Sequence, residues 1–225
     1  MFQSKHYNNH IIKLQNRRIE LKDYIKNLEK EFSKITNGFK EIEKKALSDF
    51  KSNNNSYIKE LAYSAYKSDS YQVRMYSVFL FGYLSENKEI LNFMKDVVSK
   101  DNNWRVQEIL AKSFDEHCKI LGYEKSIIII DEWLNDSNPN TRRAVTEGLR
   151  IWTNKPYFKE NPSEAIRRLS NLKHDNSEYV RKSVGNALRD ISKKYPKLIE
   201  EELNSWNLEI KEIKQVYKLA NKFIK

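Results

Sequence analysis

The chain of 225 residues carries 41 Lys and Arg against 31 Asp and Glu, a formal charge of +10 at neutral pH, with only five Gly and four Pro. Few helix breakers among abundant Lys, Glu, Leu and Ile predict a mostly helical chain, and an apolar share of 39% suits a thin array of helices better than a compact globule. The single cysteine, Cys118, excludes an internal disulfide and a cysteine-based zinc site. The positive excess points to a polyanionic partner, nucleic acid first and a membrane surface second.

No apolar run approaches the roughly 20 residues of a bilayer span, and the N-terminus lacks the apolar block of a signal peptide. A soluble, cytoplasmic protein is expected, nucleoid-associated if bacterial, with no cofactor. His6 and His10 have the i, i+4 spacing of a metal pair, but no third ligand lies near them in sequence, so no metal is expected.

In chain order, a long helix is predicted from about Asn9 to Lys34, where Leu21, Tyr24, Ile25, Leu28 and Phe32 fall on one stripe. Thr36-Asn37-Gly38 reads as its stop, with Gly38 in a left-handed cap. A second helix runs to about Phe50 and a polar turn over Lys51–Asn55 follows. From there a period appears. An Asp, a short polar stretch and then a β-branched residue followed by a polar or basic one recur around Val73-Arg74, Val106-Gln107, Thr141-Arg142 and Val180-Arg181. Asp, Ser and Asn before an apolar helix mark a helix start. Each interval has room for a second helix, predicted near Lys88–Ser99, Tyr123–Leu134, Ser163–Leu172 and Pro196–Trp206, with a capping helix over Leu208–Phe223. Paired helices at this period predict an all-α, HEAT-like helical repeat solenoid, curved, with a basic concave face. One domain over 1–225 is expected: divergent N-terminal helices over 1–50, repeats over 55–206 and the cap over 207–225.

Between Thr141 and Tyr195 there are 13 Lys and Arg against six Asp and Glu. Arg142, Arg143, Arg181 and Lys182 fall at or just inside helix starts, where a cation opposes the helix dipole and gains nothing for the helix itself. Repeated on equivalent helices, they predict a basic strip suited to a duplex backbone. The alternative for the residue directly after the β-branched one is a structural ladder to the turn Asp of a neighbouring repeat. Trp104 and Glu108, four residues apart, share one helix face, with Arg143 at the place equivalent to Glu108 one repeat on. The alternatives here are a packing role for Trp104 and an ion pair of Glu108 with Arg105 or Arg143. Trp133 and Trp206 read as core or cap residues, and Trp152 with Tyr157 and Phe158 as packing.

The runs Asp136-Ser-Asn-Pro-Asn-Thr-Arg-Arg-Ala-Val-Thr-Glu-Gly-Leu-Arg150 and Tyr179-Val-Arg-Lys-Ser-Val-Gly-Asn-Ala-Leu-Arg-Asp-Ile-Ser-Lys193 resemble the DNA alkylation repair family of HEAT-like repeat glycosylases, the AlkC and AlkD type. The resemblance spans roughly Tyr71 to Trp206. It implies a helical solenoid around duplex DNA and hydrolytic excision of cationic N3- and N7-alkylpurines. It also implies that Trp104 is the family's site aromatic, Glu108 its carboxylate (aspartate in AlkD-type members) and Arg143 its key arginine. Asn186 stands where AlkD-type members have a second tryptophan, and Asp190 is a second acidic candidate. Arg142, Arg150, Lys155, Arg181, Lys182, Asn186, Asp190 and Lys193 complete the expected DNA-contacting set of a monomer. A DNA-binding relative without excision and a protein-interaction scaffold are the alternatives.

Overall fold

The computed structural model describes the backbone of residues 2–224 and the side chains of residues 15–224, so the His6–His10 pair lies outside the described side chains. Among the described residues the chain is helical with no strand, the HEAT-like repeat architecture that the period predicts. Contacts divide it into two compact units, 1–84 and 85–225.

The first unit holds α1 (Phe2–Phe32), α2 (Lys40–Ser52), α3 (Asn55–Ala65) and α4 (Tyr71–Tyr83). The stripe on α1 buries Leu21, Leu28 and Phe32, and Gly38 takes the left-handed conformation with φ +81°. The polar turn after α2 is shorter than predicted, because Asn54 Oδ1 accepts the Tyr57 amide at 2.9 Å and starts α3 at once. Asp49, buried, accepts the hydroxyls of Tyr24 at 2.6 Å and Tyr76 at 2.5 Å and the ammonium of Lys45 at 2.6 Å. Burial first, then the bond to Asp49, pushes Tyr24 up to about 12.

In the second unit α6 (Trp104–Leu121), α8 (Pro139–Gly148), α11 (Glu178–Ser192) and α13 (Lys211–Ala220) pack side by side in succession. The intervening α5 (Lys88–Asp96), α7 (Ile127–Leu134), α9 (Pro156–Glu160), α10 (Pro162–Ser170) and α12 (Pro196–Asn204) supply the second helices, and α7, α10 and α12 lie against that row. Several start later or end sooner than their apolar pattern, as at Lys88–Asp96, where a separate 3-10 turn, Val98–Lys100, ends the segment. Each unit buries its own apolar set. Val106, Phe114, Trp133, Val145, Trp152, Phe158, Val184 and Leu188 are within 1% of full burial, each burial stabilising by roughly 1.5–3 kcal/mol.

The predicted helix starts share one turn chemistry. Asp101 Oδ1 accepts the Asn103 amide at 2.9 Å, Asp136 Oδ1 that of Asn138 at 2.8 Å and Asp175 Oδ1 that of Ser177 at 2.8 Å. In the first unit Ser68 Oγ does the same for Ser70 at 3.1 Å. Asn103 and Asn138 then cap α6 and α8 through their own side-chain oxygens.

α8 approaches α6 closely at Gly148, where a Cβ would stand 2.2 Å from the backbone oxygen of Ala111. Backbone cannot yield as a flexible side chain does. Gly148→Ala therefore lowers stability by about 1–3 kcal/mol, despite alanine's better helix propensity. Thermal unfolding checks this, and an unchanged or raised Tm would contradict the close packing of α6 on α8.

Candidate nucleic-acid interface

The residue after each β-branched position turns back onto the start of its own helix. Arg74 Nη1 donates to the carbonyls of Ser68 at 3.1 Å and Asp69 at 3.0 Å. Arg142 Nη1 donates to those of Asp136 at 2.7 Å and Ser137 at 3.0 Å, and Arg181 Nη1 to those of Asp175 at 2.6 Å and Asn176 at 3.2 Å. Gln107 fills this place in the remaining repeat, its Nε2 donating to Val98, Ser99 and Asp101 at 2.9–3.1 Å. The arginines also reach forward. Arg142 grips Asp175 with two parallel bonds of 2.6 and 2.7 Å, and Arg181 donates twice to Gln215 Oε1, at 3.0 and 2.8 Å. Arg142 and Arg181, expected among the DNA contacts, thus have their donors committed within the protein, and the ladder alternative describes their geometry.

The next residue in each repeat has a different fate. Glu108, Arg143 and Lys182 occupy equivalent places on α6, α8 and α11, about 100° further round each helix from the ladder position. Glu108 is half-buried, and among the described residues its carboxylate forms no ion pair or hydrogen bond, with Arg105 or Arg143 or otherwise. Trp104 opens α6 with 58% of its surface exposed, so it is no core residue, and the Arg105 guanidinium lies 4.4 Å from its ring centre. Arg143 is half-buried and its guanidinium lies 4.2 Å from the ring centre of Tyr179. Lys182 is exposed and pairs one turn back with Glu178 at 2.8 Å, a contact worth little in solvent.

Further along the row the predicted residues are more tightly held. Asp190 is buried and receives Arg150 at 3.0 Å, Lys193 at 2.9 Å and Arg189 at 3.4 Å. Burial alone would raise its carboxyl, but the bonds from Lys193 and Arg150 outweigh that and hold it below the usual aspartate value. As a second acid it is therefore ionised and fully engaged, and it draws on Arg150 and Lys193, both about half exposed. Lys155 binds Asp115 at 2.7 Å, between the C-terminal part of α6 and the start of α9. Asn186 is half-buried on α11. Of the 13 cations between 141 and 195, several are thus neutralised by acids from this segment and from outside it, Asp115 and Asp131 among the latter.

The pairs Arg143 with Tyr179, Thr146 with Ser183 (2.6 Å between hydroxyls) and Arg150 with Asp190 join α8 to α11 in parallel register. Asn138 and Asn140 at the start of α8 donate to Ser99 in the turn leading to α6 at 2.8–3.3 Å, which brings the starts of these two helices to one end. Trp104, Glu108, Arg143, Tyr179 and Lys182 therefore all sit within the first turns of helices that begin together. After Arg150 the chain reverses at Ile151, whose φ of +56° is rare for a β-branched residue, and Trp152 drops into the core 4.9 Å from Phe158. Trp133, Trp152 and Phe158 pack inside and Trp206 is nearly buried, as expected. Tyr179, whose ring lies under Arg143, is a residue that the sequence reading passes over. Its signal is an aromatic one residue into a helix start, and it is 43% exposed.

A family model described as DNA alkylation repair enzyme matches residues 12–217. The chain belongs to that family. It is similar to AlkD2 from Streptococcus mutans, whose crystal structure is 70% identical, with a TM-score of 0.90 over 91% of this chain and 99% of that one. A second crystal structure, of smu.31 from Streptococcus mutans UA159, is 68% identical, with a TM-score of 0.88 over 91% of this chain and all of that one. The uncharacterized protein YhaZ of Bacillus subtilis (strain 168) is 38% identical over 91 residues, so the match spans 39% of this chain and only about a quarter, 26%, of that relative's length. In this member of the family no helix among the described residues is long and apolar enough to cross a membrane, and no group of three or more His, Cys, Asp or Glu among them is placed to hold a metal ion.

Arg142→Ala leaves the largely buried Asp175 and two turn carbonyls without their cation and costs about 3 kcal/mol. The readout is chemical or thermal unfolding, and a midpoint equal to wild type would show that Arg142 is not structural.

Proposed function

We propose that the row Glu108, Arg143 and Lys182, together with Trp104, binds duplex DNA and excises cationic alkylated purines of the 3-methyladenine and 7-methylguanine type by cleaving the N-glycosidic bond. The observation that carries this reading is the exposed Trp104 ring one helical turn before a carboxylate without a partner among the described residues, at the end of the helices where Arg143 and Lys182 also lie. Membership of the alkylation repair family and similarity to AlkD2 support it.

A purine alkylated at N3 or N7 carries a positive charge and leaves as a neutral base, so no strong general acid is needed. As the bond from the sugar carbon to the base nitrogen breaks, its electron pair goes to the base and positive charge grows on the sugar. Glu108 stabilises that charge and orients the water whose oxygen bonds to the sugar carbon, the water's proton passing to the carboxylate. Trp104 contacts the cationic base or the sugar through its ring face, worth on the order of 0.5–2 kcal/mol. Arg143 and Lys182 hold flanking phosphates. No metal or cofactor enters the reaction.

Two features favour a second reading, a relative that binds DNA without excising. The Arg105 guanidinium already lies over the Trp104 ring, where a cationic base would stack, and Asn186 offers no second aromatic wall. Single-turnover assays on duplexes carrying 7-methylguanine and 3-methyladenine separate the two. Release of free base is expected, slowed roughly 100-fold in Glu108→Gln and also reduced in Trp104→Ala. No release by wild type at high enzyme excess, with salt-dependent duplex binding intact, would replace excision with the second reading.

A further inference from the structure

Arg143 differs from the arginines around it in what holds it. Arg142, Arg150 and Arg168 are gripped by carboxylates and Arg181 by an amide and two carbonyls. Arg143 has no such acceptor among the described residues. Its Nε is fully buried without a hydrogen-bond partner, and the contact described for its guanidinium is the Tyr179 ring, 4.2 Å from centre to centre. A planar guanidinium stacked on a ring leaves its in-plane Nη donors available to an incoming oxygen, while the sealed Nε, out of a ligand's reach, shows only that the fold supplies this arginine no acceptor there.

Tyr179 itself is held in place by α11. It begins the turn that carries Lys182 three residues on, so on a helix Tyr179 and Lys182 are neighbours on one face. Ser183 on the same helix bonds Thr146 of α8, which fixes α8 and α11 in register just beyond the stacked pair. A ring, a stacked guanidinium and an ammonium are therefore carried on two clamped helices, and among the described residues the acid paired to them is the exposed Glu178.

We propose that Tyr179 is a positioning residue that presents the Arg143 guanidinium to a phosphodiester group, with Lys182 as the second cation of the same phosphate site. This rests on the DNA-binding reading above and adds to it the residue that sets the geometry of its arginine. Tyr179 acts through Arg143, so its effect vanishes when Arg143 is absent.

The test is duplex binding by fluorescence anisotropy across a salt series for wild type, Tyr179→Leu, Tyr179→Phe, Arg143→Ala and the Tyr179→Leu/Arg143→Ala double variant, with unfolding midpoints measured in parallel. Tyr179→Leu is expected to bind about three- to tenfold more weakly and to shift its salt slope toward that of Arg143→Ala. Tyr179→Phe, which keeps the ring, stays near wild type, and the double variant matches Arg143→Ala alone. Equal binding by Tyr179→Leu and wild type overturns this role while leaving the DNA reading intact. So does a loss in Tyr179→Leu that persists undiminished without Arg143. A wild-type protein that does not bind the duplex overturns the DNA reading and this role together.

Discussion

Every repeat of this chain depends on one interaction: a side chain that follows the first β-branched residue of a helix folds back and donates to the carbonyls of the turn before it. Three arginines and one glutamine do this, at 74, 107, 142 and 181. Those carbonyls lie where a turn has no helical partner for them, and leaving such groups unbonded inside the fold costs about 1–3 kcal/mol each. Because the arginine fork is planar and carries five donors, it closes its own turn and still reaches the next repeat, as Arg142 does to Asp175. Asp175 in turn caps the Ser177 amide. The start of one helix is thereby tied to the start of the next.

That constraint decides which charges remain for a partner. The chain's 41 Lys and Arg overstate the cations left free for a partner. Asp190 collects three basic groups, Asp115 takes Lys155 and Asp131 takes Arg168. The ladder position itself is consumed by the fold. One residue later the helix has turned by about 100°, out of the turn and away from its carbonyls. Glu108, Arg143 and Lys182 stand there, and they are the members of the motif with capacity left over. Adjacent residues of one helix start thus have different fates, the first bonded into its own turn and the second turned away from it.

Much of this was legible from the sequence, for reasons visible in particular residues. The period survived because Asp101, Asp136 and Asp175 perform the same bond in each turn, so chemistry and spacing repeat together. The stripe on α1 and the left-handed Gly38 followed from local rules alone. Tryptophan burial was legible as well, with Trp152 sealed against Phe158 and Trp104 exposed at its helix start. Beyond the ladder, the fate of the cations was illegible, since Arg150 finds Asp190 forty residues away and Lys155 finds Asp115 at the same separation. Tyr179 was missed for the same reason: its meaning comes from Arg143 on a different helix. Gln107 hid the ladder in its repeat, because an amide does there what a guanidinium does elsewhere.

The candidate site is small and one-sided: an aromatic ring, a carboxylate without a partner among the described residues and two cations, all at the starts of helices that begin together. Its most direct test is the salt dependence of duplex DNA binding by the Arg143→Ala/Lys182→Ala double variant against wild type. With two phosphate contacts removed, the slope of log affinity against log salt concentration should become shallower by about two, with the unfolding midpoint close to that of wild type. An unchanged slope would contradict the assignment of this row to the DNA backbone.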